Sequence, residues 1–291
     1  MKKPLLAFVL ILVCAVILAG CSNEKETIAE FENKTVVAVS IVPQKTFVEA
    51  VCGDLVDVVT LIPPGSSPAN YEPTPLEMEQ FSKASIYFTI GVPTEEANIL
   101  HFAQQMKNLK IIKLQEEVAR IYSERTFASG GRDPHLWLSP KRVQVMLKSI
   151  VREMSELDAE NKDIYAENAR EFSQELDELD AQIKSVLANV KNRKFIAFHP
   201  SFGYLADDYG LEMYALEEDG KEATPRRLQE MIDFAKLEDI KVIFYQAEIN
   251  SKQAAAFAEE IGGKTVQLAP LAPNYIENLQ EMAASMAEVM R

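Results

Sequence analysis

The hydrophobic pattern changes its period along the chain, and the changes lay out the fold. Short apolar runs at Thr35–Val42 (TVVAVSIV), Val56–Ile62 and Ser85–Gly91, and a strand-like segment at Lys110–Leu114, alternate with stretches of helical spacing. The alternation resumes at Phe195–Phe198, Glu212–Leu216, Lys241–Gln246 and Thr265–Leu268. Strands separated by helices pair in parallel, so each half predicts a doubly wound sheet. Between the halves lies Asn161–Lys191, with no Gly or Pro and with apolar residues at Ile164, Ala169, Phe172, Leu176, Leu179, Ile183, Leu187 and Val190. That spacing marks one face of a single helix, roughly 45 Å long at ~1.5 Å per residue. The fold class predicted is α/β: two doubly wound lobes with mainly parallel sheets, residues 35–158 and 193–291, joined by one long helix within 159–192.

Local signals place the ends of elements. Pro43 opens a helix that Gly53 closes; Thr224 caps another with Pro225 in its first turn; Gly210 and the Gly262-Gly263 pair stop two more. Glu95–Met106 reads as one helix, and Pro140–Leu157 as another. Pro63–Pro75 (PPGSSPANYEPTP) is a stiff loop, and Glu116–Arg132 is a looser one.

The first twenty residues read as a leader. Lys2 and Lys3 precede an unbroken apolar run, Leu5–Ile17, and LAGC follows, ending at Cys21. The pattern resembles a bacterial lipobox, which predicts cleavage before Cys21 and lipidation of its thiol, with residues 21–34 as a polar tether. Cys14 leaves with the leader, so Cys52 remains as one further thiol. It can form neither an internal disulfide nor a thiolate zinc site and is expected in the core. The formal charge of −14 becomes −16 once the two leader lysines go. A surface so acidic argues against nucleic acid as a partner.

Candidate chemistry is sparse. Of three histidines, His101 sits mid-helix and reads as merely packed or exposed. His135, in DPHLWLSP, lies between Pro134 and Pro140. His199 ends an apolar strand and is followed by Pro200. One imidazole per lobe, each on a backbone restricted by proline, fits a metal site that needs preset ligand vectors; packed structural histidines are the alternative. His199 and Gln246 fall at the carboxyl ends of strands, where open α/β sheets bind ligands. ELDELD at Glu175–Asp180 reads as a solvated helix face, and neither a phosphate loop nor a nucleophile elbow is present.

The segments PPGSSPANYEPTP, GVPTEE, DPHLWLSP, AFHPSFGYLADDYGL, EATPRRLQEM and FYQAEINSKQAAAFAEEIGGKTVQLAPL together resemble the zinc/manganese substrate-binding lipoproteins of bacterial ABC importers, the TroA-like or ZnuA-like family. The resemblance covers essentially the whole mature chain. It implies two lobes joined by one rigid helix, little closure of the cleft, and Zn (or Mn) as a transported ligand held between the lobes. It also implies an ABC permease as partner, a monomer, and no catalysis. The chain departs from the family pattern twice. Ala69 stands where the resemblance implies a histidine, and Ala269 where it implies an aspartate. His135 and His199 remain. Gln246 and Asn70 are the candidate replacement ligands, with Glu248, Glu72 or water as further options. A set of imidazoles and amides without carboxylates favours Zn²⁺ over Mn²⁺.

The function expected is therefore an extracytoplasmic binding protein, lipid-anchored at the outer face of the cytoplasmic membrane or in the periplasm, that passes a transition metal to an importer. One rival keeps the fold and binds a different solute, such as a metal complex or an organic ligand. The other is a metal-dependent hydrolase using His135 and His199.

Overall fold

The computed structural model describes residues 34–217, 221–249 and 252–290. The leader, the lipidation site Cys21 and the tether up to residue 33 lie outside the described residues. Strands β1 (Thr35–Val39), β2 (Val56–Thr60), β3 (Ile86–Thr89) and β4 (Lys110–Lys113) form a parallel sheet in the order β2-β1-β3-β4. Strands β5 (Lys194–Ala197), β6 (Glu212–Ala215), β7 (Val242–Gln246) and β8 (Lys264–Leu268) form a second, in the order β6-β5-β7-β8. The two halves thus repeat one topology. In each, the winding reverses between the central pair, β1/β3 or β5/β7, and the carboxyl ends of that pair are where such sheets place a crevice.

The connecting helix runs Lys162–Leu187, 26 residues or about 39 Å. Its buried stripe is Tyr165, Ala169, Phe172, Leu176, Leu179, Ile183 and Leu187. Ile164, expected on that stripe, is 47% exposed, and Tyr165 is buried in its place. The gap of five between Ile164 and Ala169 was the sign: position 165 keeps the three- and four-residue spacing that one helix face requires. The Tyr165 hydroxyl donates to Asp158 at 2.7 Å, which lets the ring go under. The helix also ends before Lys191. Arg193 donates to the carbonyl of Leu187, and the amides of Lys191 and Asn192 turn to the carbonyl of Met290.

Helices Val42–Cys52, Pro140–Leu157 and Tyr275–Val289 pack on the connecting helix. One hydrophobic core runs continuously from the first sheet, through Leu176 and Ile183, to Phe244 and Met286. A smaller core, with Ile196, Ile243 and Phe257, covers the other face of the second sheet. Cys52 lies fully buried in the larger core, its thiol pushed up to about 12 by burial and by Asp158.

Polar ties cross the seam between the halves. Trp137 Nε1 donates to the carbonyl of Pro270 at 2.8 Å, and the Tyr275 hydroxyl to that of Trp137 at 2.7 Å. Phe47 meets Tyr275 edge-on at 4.9 Å. The Asp208 side chain, 2% exposed, takes Arg142 at 2.8 Å and Lys141 at 2.5 Å. The Arg142 guanidinium lies over the rings of Tyr122 and Tyr204.

The segment Glu95–Met106 is not one regular helix. It opens with a π turn, Glu95–Ile99, and its α-helical part is only Leu100–Ala103. Glu95 is drawn inward: its carboxylate accepts the amides of Ile90 and Gly91, each at 2.8 Å, and the hydroxyl of Ser40. The widened turn is the local consequence of seating that side chain beneath the helix start. The loop after β4 is also more ordered than expected, since Leu114–Ala119 is helical and Thr126 pairs with Arg132 in a short antiparallel bridge.

Candidate metal centre

His135 is placed by the residues just before it. Asp133 Oδ1 accepts the His135 amide at 3.0 Å and contacts Nδ1 of its ring at 2.7 Å. The turn Leu136–Leu138 follows and sets Trp137 against the imidazole, centroid to centroid 5.1 Å. His199 is placed by the second sheet. The strand path ends with the Phe198 amide on the carbonyl of Phe244, and the Glu217 amide donates to the carbonyl of Phe198. That register brings Glu217 Oε2 to 2.9 Å from Nδ1 of His199.

The two rings meet. Their centroids are 5.2 Å apart, with the planes at 76°. Each Nδ1 is held by a carboxylate, which leaves Nε2 of each ring as the nitrogen that no carboxylate engages. A carboxylate behind an imidazole fixes its tautomer, aims the ring and raises the basicity of the free nitrogen; metal-bound histidines are supported in this way. Burial pushes the His135 imidazole below its ordinary range, against the opposing pull of Asp133. A ring kept neutral by burial has no proton to surrender when a cation arrives.

A further shell holds Asp133. Arg125 Nε lies 3.4 Å from Asp133 Oδ2, and Arg125 Nη1 lies 2.5 Å from Asp207. Gly203 makes this contact possible, because a Cβ there would stand 2.5 Å from Arg125 Nε and 2.7 Å from Asp133 Oδ2.

Gln246, at the end of β7, is 5% exposed and donates through Nε2 to the Ser201 hydroxyl. It lines the same cavity as the two histidines, a space of about 340 Å³. Asn70 is exposed, and the residues of its loop that line the cavity are Ser67, Pro68 and its neighbour Ala69. Ala269 does not line it; its carbonyl accepts from Asn278 at 2.8 Å. Glu72 is exposed. Glu248, a further ligand option, is half-buried and absent from the cavity lining: its Oε2 is buried without a hydrogen bond, and burial raises its pKa. His101 is exposed and sits beside Gln105. Among the described residues no cluster of three or more His, Cys, Asp and Glu side chains is gathered for a metal.

Sequence reasoning named both imidazoles but missed their supports. Asp133 stood in view, two residues before His135. Glu217 carried no signal, because its place beside His199 depends on β6 lying next to β5, and spacing alone does not reveal strand order.

Comparison with known proteins adds the context. The family model described as zinc-uptake complex component A, periplasmic, matches residues 37–289. The high-affinity zinc uptake system protein ZnuA of Bacillus subtilis is 28% identical over 267 residues, covering 87% of this chain and 84% of that protein. The manganese ABC transporter substrate-binding lipoprotein PsaA of Streptococcus mitis is 26% identical over 270 residues, covering 89% and 87%. Among solved structures, a crystal structure of ZnuA superposes with a TM-score of 0.83 at 34% identity, over 89% of this chain and all of that one.

Proposed function

Because the chain belongs to the family of zinc-uptake complex component A, periplasmic, we propose that it captures a transition-metal ion outside the cytoplasm and hands it to an ABC importer. The protein is not an enzyme: its family supplies substrate-binding components of importers. Relatives carry zinc or manganese in their names, and for this chain we favour zinc. The observation that carries the reading is the meeting of His135 and His199, one from each half, with each Nδ1 held by a carboxylate.

The donor types support the choice of metal. Two imidazole nitrogens and the Gln246 amide oxygen suit Zn²⁺, whereas Mn²⁺ prefers carboxylate oxygens, and among the described residues none lines the cavity. We place the protein at the cell envelope, anchored through a lipid on Cys21, with a membrane permease as its partner.

Calorimetric titration of the full chain with Zn²⁺ and Mn²⁺ tests the reading. Zn²⁺ is expected to bind at about micromolar Kd or tighter, and more tightly than Mn²⁺. His135→Ala and His199→Ala should each lose about a hundredfold, since each leaves one protein imidazole on the ion. A wild type that binds neither ion would overturn the proposal.

A further inference from the structure

The cavity is larger and drier than a lone ion needs. It encloses about 340 Å³, within the range of small-molecule pockets. Its walls are largely apolar, with Pro68, Ala69, Val92, Pro93, Phe127 and Leu271 among them. Among the described residues the lining offers two imidazoles and one amide, while Zn²⁺ takes four donors. Water could complete the shell only where polar partners hold it, and these walls offer few. Among the described residues the one charged side chain in the lining, apart from the histidines, is not an acid but Arg132.

Arg132 is fixed in place. The Thr126–Arg132 bridge and the Phe127 amide on the carbonyl of Gly131 close a tight loop around it. Its Nη2 is paired with Glu124, and the residue lines the cavity. A guanidinium repels a bare cation but matches a carboxylate, which it can bind through two parallel N–H donors.

We infer that the cargo enters as a complex, a divalent metal already held by a small amino- or hydroxy-carboxylate chelator. His135 and His199 take the metal, Arg132 takes a free carboxylate, and the apolar walls enclose the chelator's carbon frame. This rests on the metal-capture reading and specifies its substrate. No covalent bond is made or broken; the chelator supplies the donors that the protein lacks.

Co²⁺ serves as the probe, because its visible absorption reports its coordination. The full chain is titrated with Co²⁺ alone, with Co²⁺ and one equivalent of L-histidine, and with Co²⁺ and one equivalent of citrate. At least one chelate should bind about tenfold more tightly than the bare ion, and native mass spectrometry should show protein, metal and chelator at equal stoichiometry. Arg132→Ala should reduce that advantage to about threefold or less, as expected for loss of a charge-assisted hydrogen bond to the carboxylate. If the bare ion binds and both chelators only compete for it, the inference fails and the metal-capture reading stands. If neither the bare ion nor a chelate binds, both fall. A chelate advantage that survives intact in Arg132→Ala also overturns the assignment.

Discussion

The two halves share one strand order, yet they use the crevice at its reversal differently. Above β5 and β7 the crevice is open, and His199 and Gln246 line a cavity there. Above β1 and β3 the same place is filled from within. Glu95 reaches down from the π turn and is capped by Ser40, Ile90 and Gly91, with Tyr87 hydrogen-bonded to Ser40 beside it. One topology therefore leaves its crevice open in one half and plugged in the other. The plug has a use, because the chain just beyond Gly91, Val92 and Pro93, forms part of the cavity wall. The fold supplies the crevice, and the residues at its lip decide whether it binds anything.

Removing the plug should have the largest effect. Glu95→Ala strands the Ile90 and Gly91 amides, removes one of the two partners of the Ser40 hydroxyl, and should cost about 4 kcal/mol in urea unfolding, at 1–3 kcal/mol for each unsatisfied amide. Little or no loss would mean that the first crevice is not closed by Glu95.

Next comes a pH dependence. Burial raises the Glu95 carboxyl from 4.5 to about 7. The folded state holds this proton more tightly than the unfolded chain does. Its contribution is therefore complete below about pH 4.5 and is lost as pH rises to about 7, a change of about 3 kcal/mol. Unfolding curves across that window should show this fall in wild type relative to Glu95→Gln, which cannot ionise. Parallel pH profiles for the two proteins would contradict the assignment.

In the open half the effects are smaller and appear in binding. Glu217→Gln should weaken zinc about tenfold to a hundredfold without unfolding the protein, as loss of the carboxylate behind a metal-bound imidazole does elsewhere. Gln246→Ala should weaken zinc by only about threefold, since a neutral amide oxygen is a minor donor to this ion. If Gln246→Ala cost more than Glu217→Gln, the amide rather than the imidazole pair would dominate the site.

Much of this was legible from residue order. Short apolar runs against a three-to-four-residue spacing separated strands from helices, and proline and glycine marked most ends. Proline beside His135 and His199 picked out both rings. What could not be read was anything that depended on contact between distant segments. Ile164 and Tyr165 are both plausible on a buried stripe, and Asp158, which receives the tyrosine hydroxyl, decides between them. Glu95 reads as an ordinary acid in the first turn of a helix, yet three donors around β1 and β3 draw it inside. Glu217 needed the order β6-β5 before its role appeared. Asn70 and Gln246 looked alike as amides near the right places, but only the backbone path shows that the first is exposed and the second lines the cavity.

The seam between the halves also limits how cargo can leave. With Trp137 tied to Pro270, Asp208 clasping Arg142 and Lys141, and one unbroken core behind them, a clamshell swing would tear apart buried ion pairs and apolar contacts together. The frame around the two imidazoles is therefore braced against hinge opening.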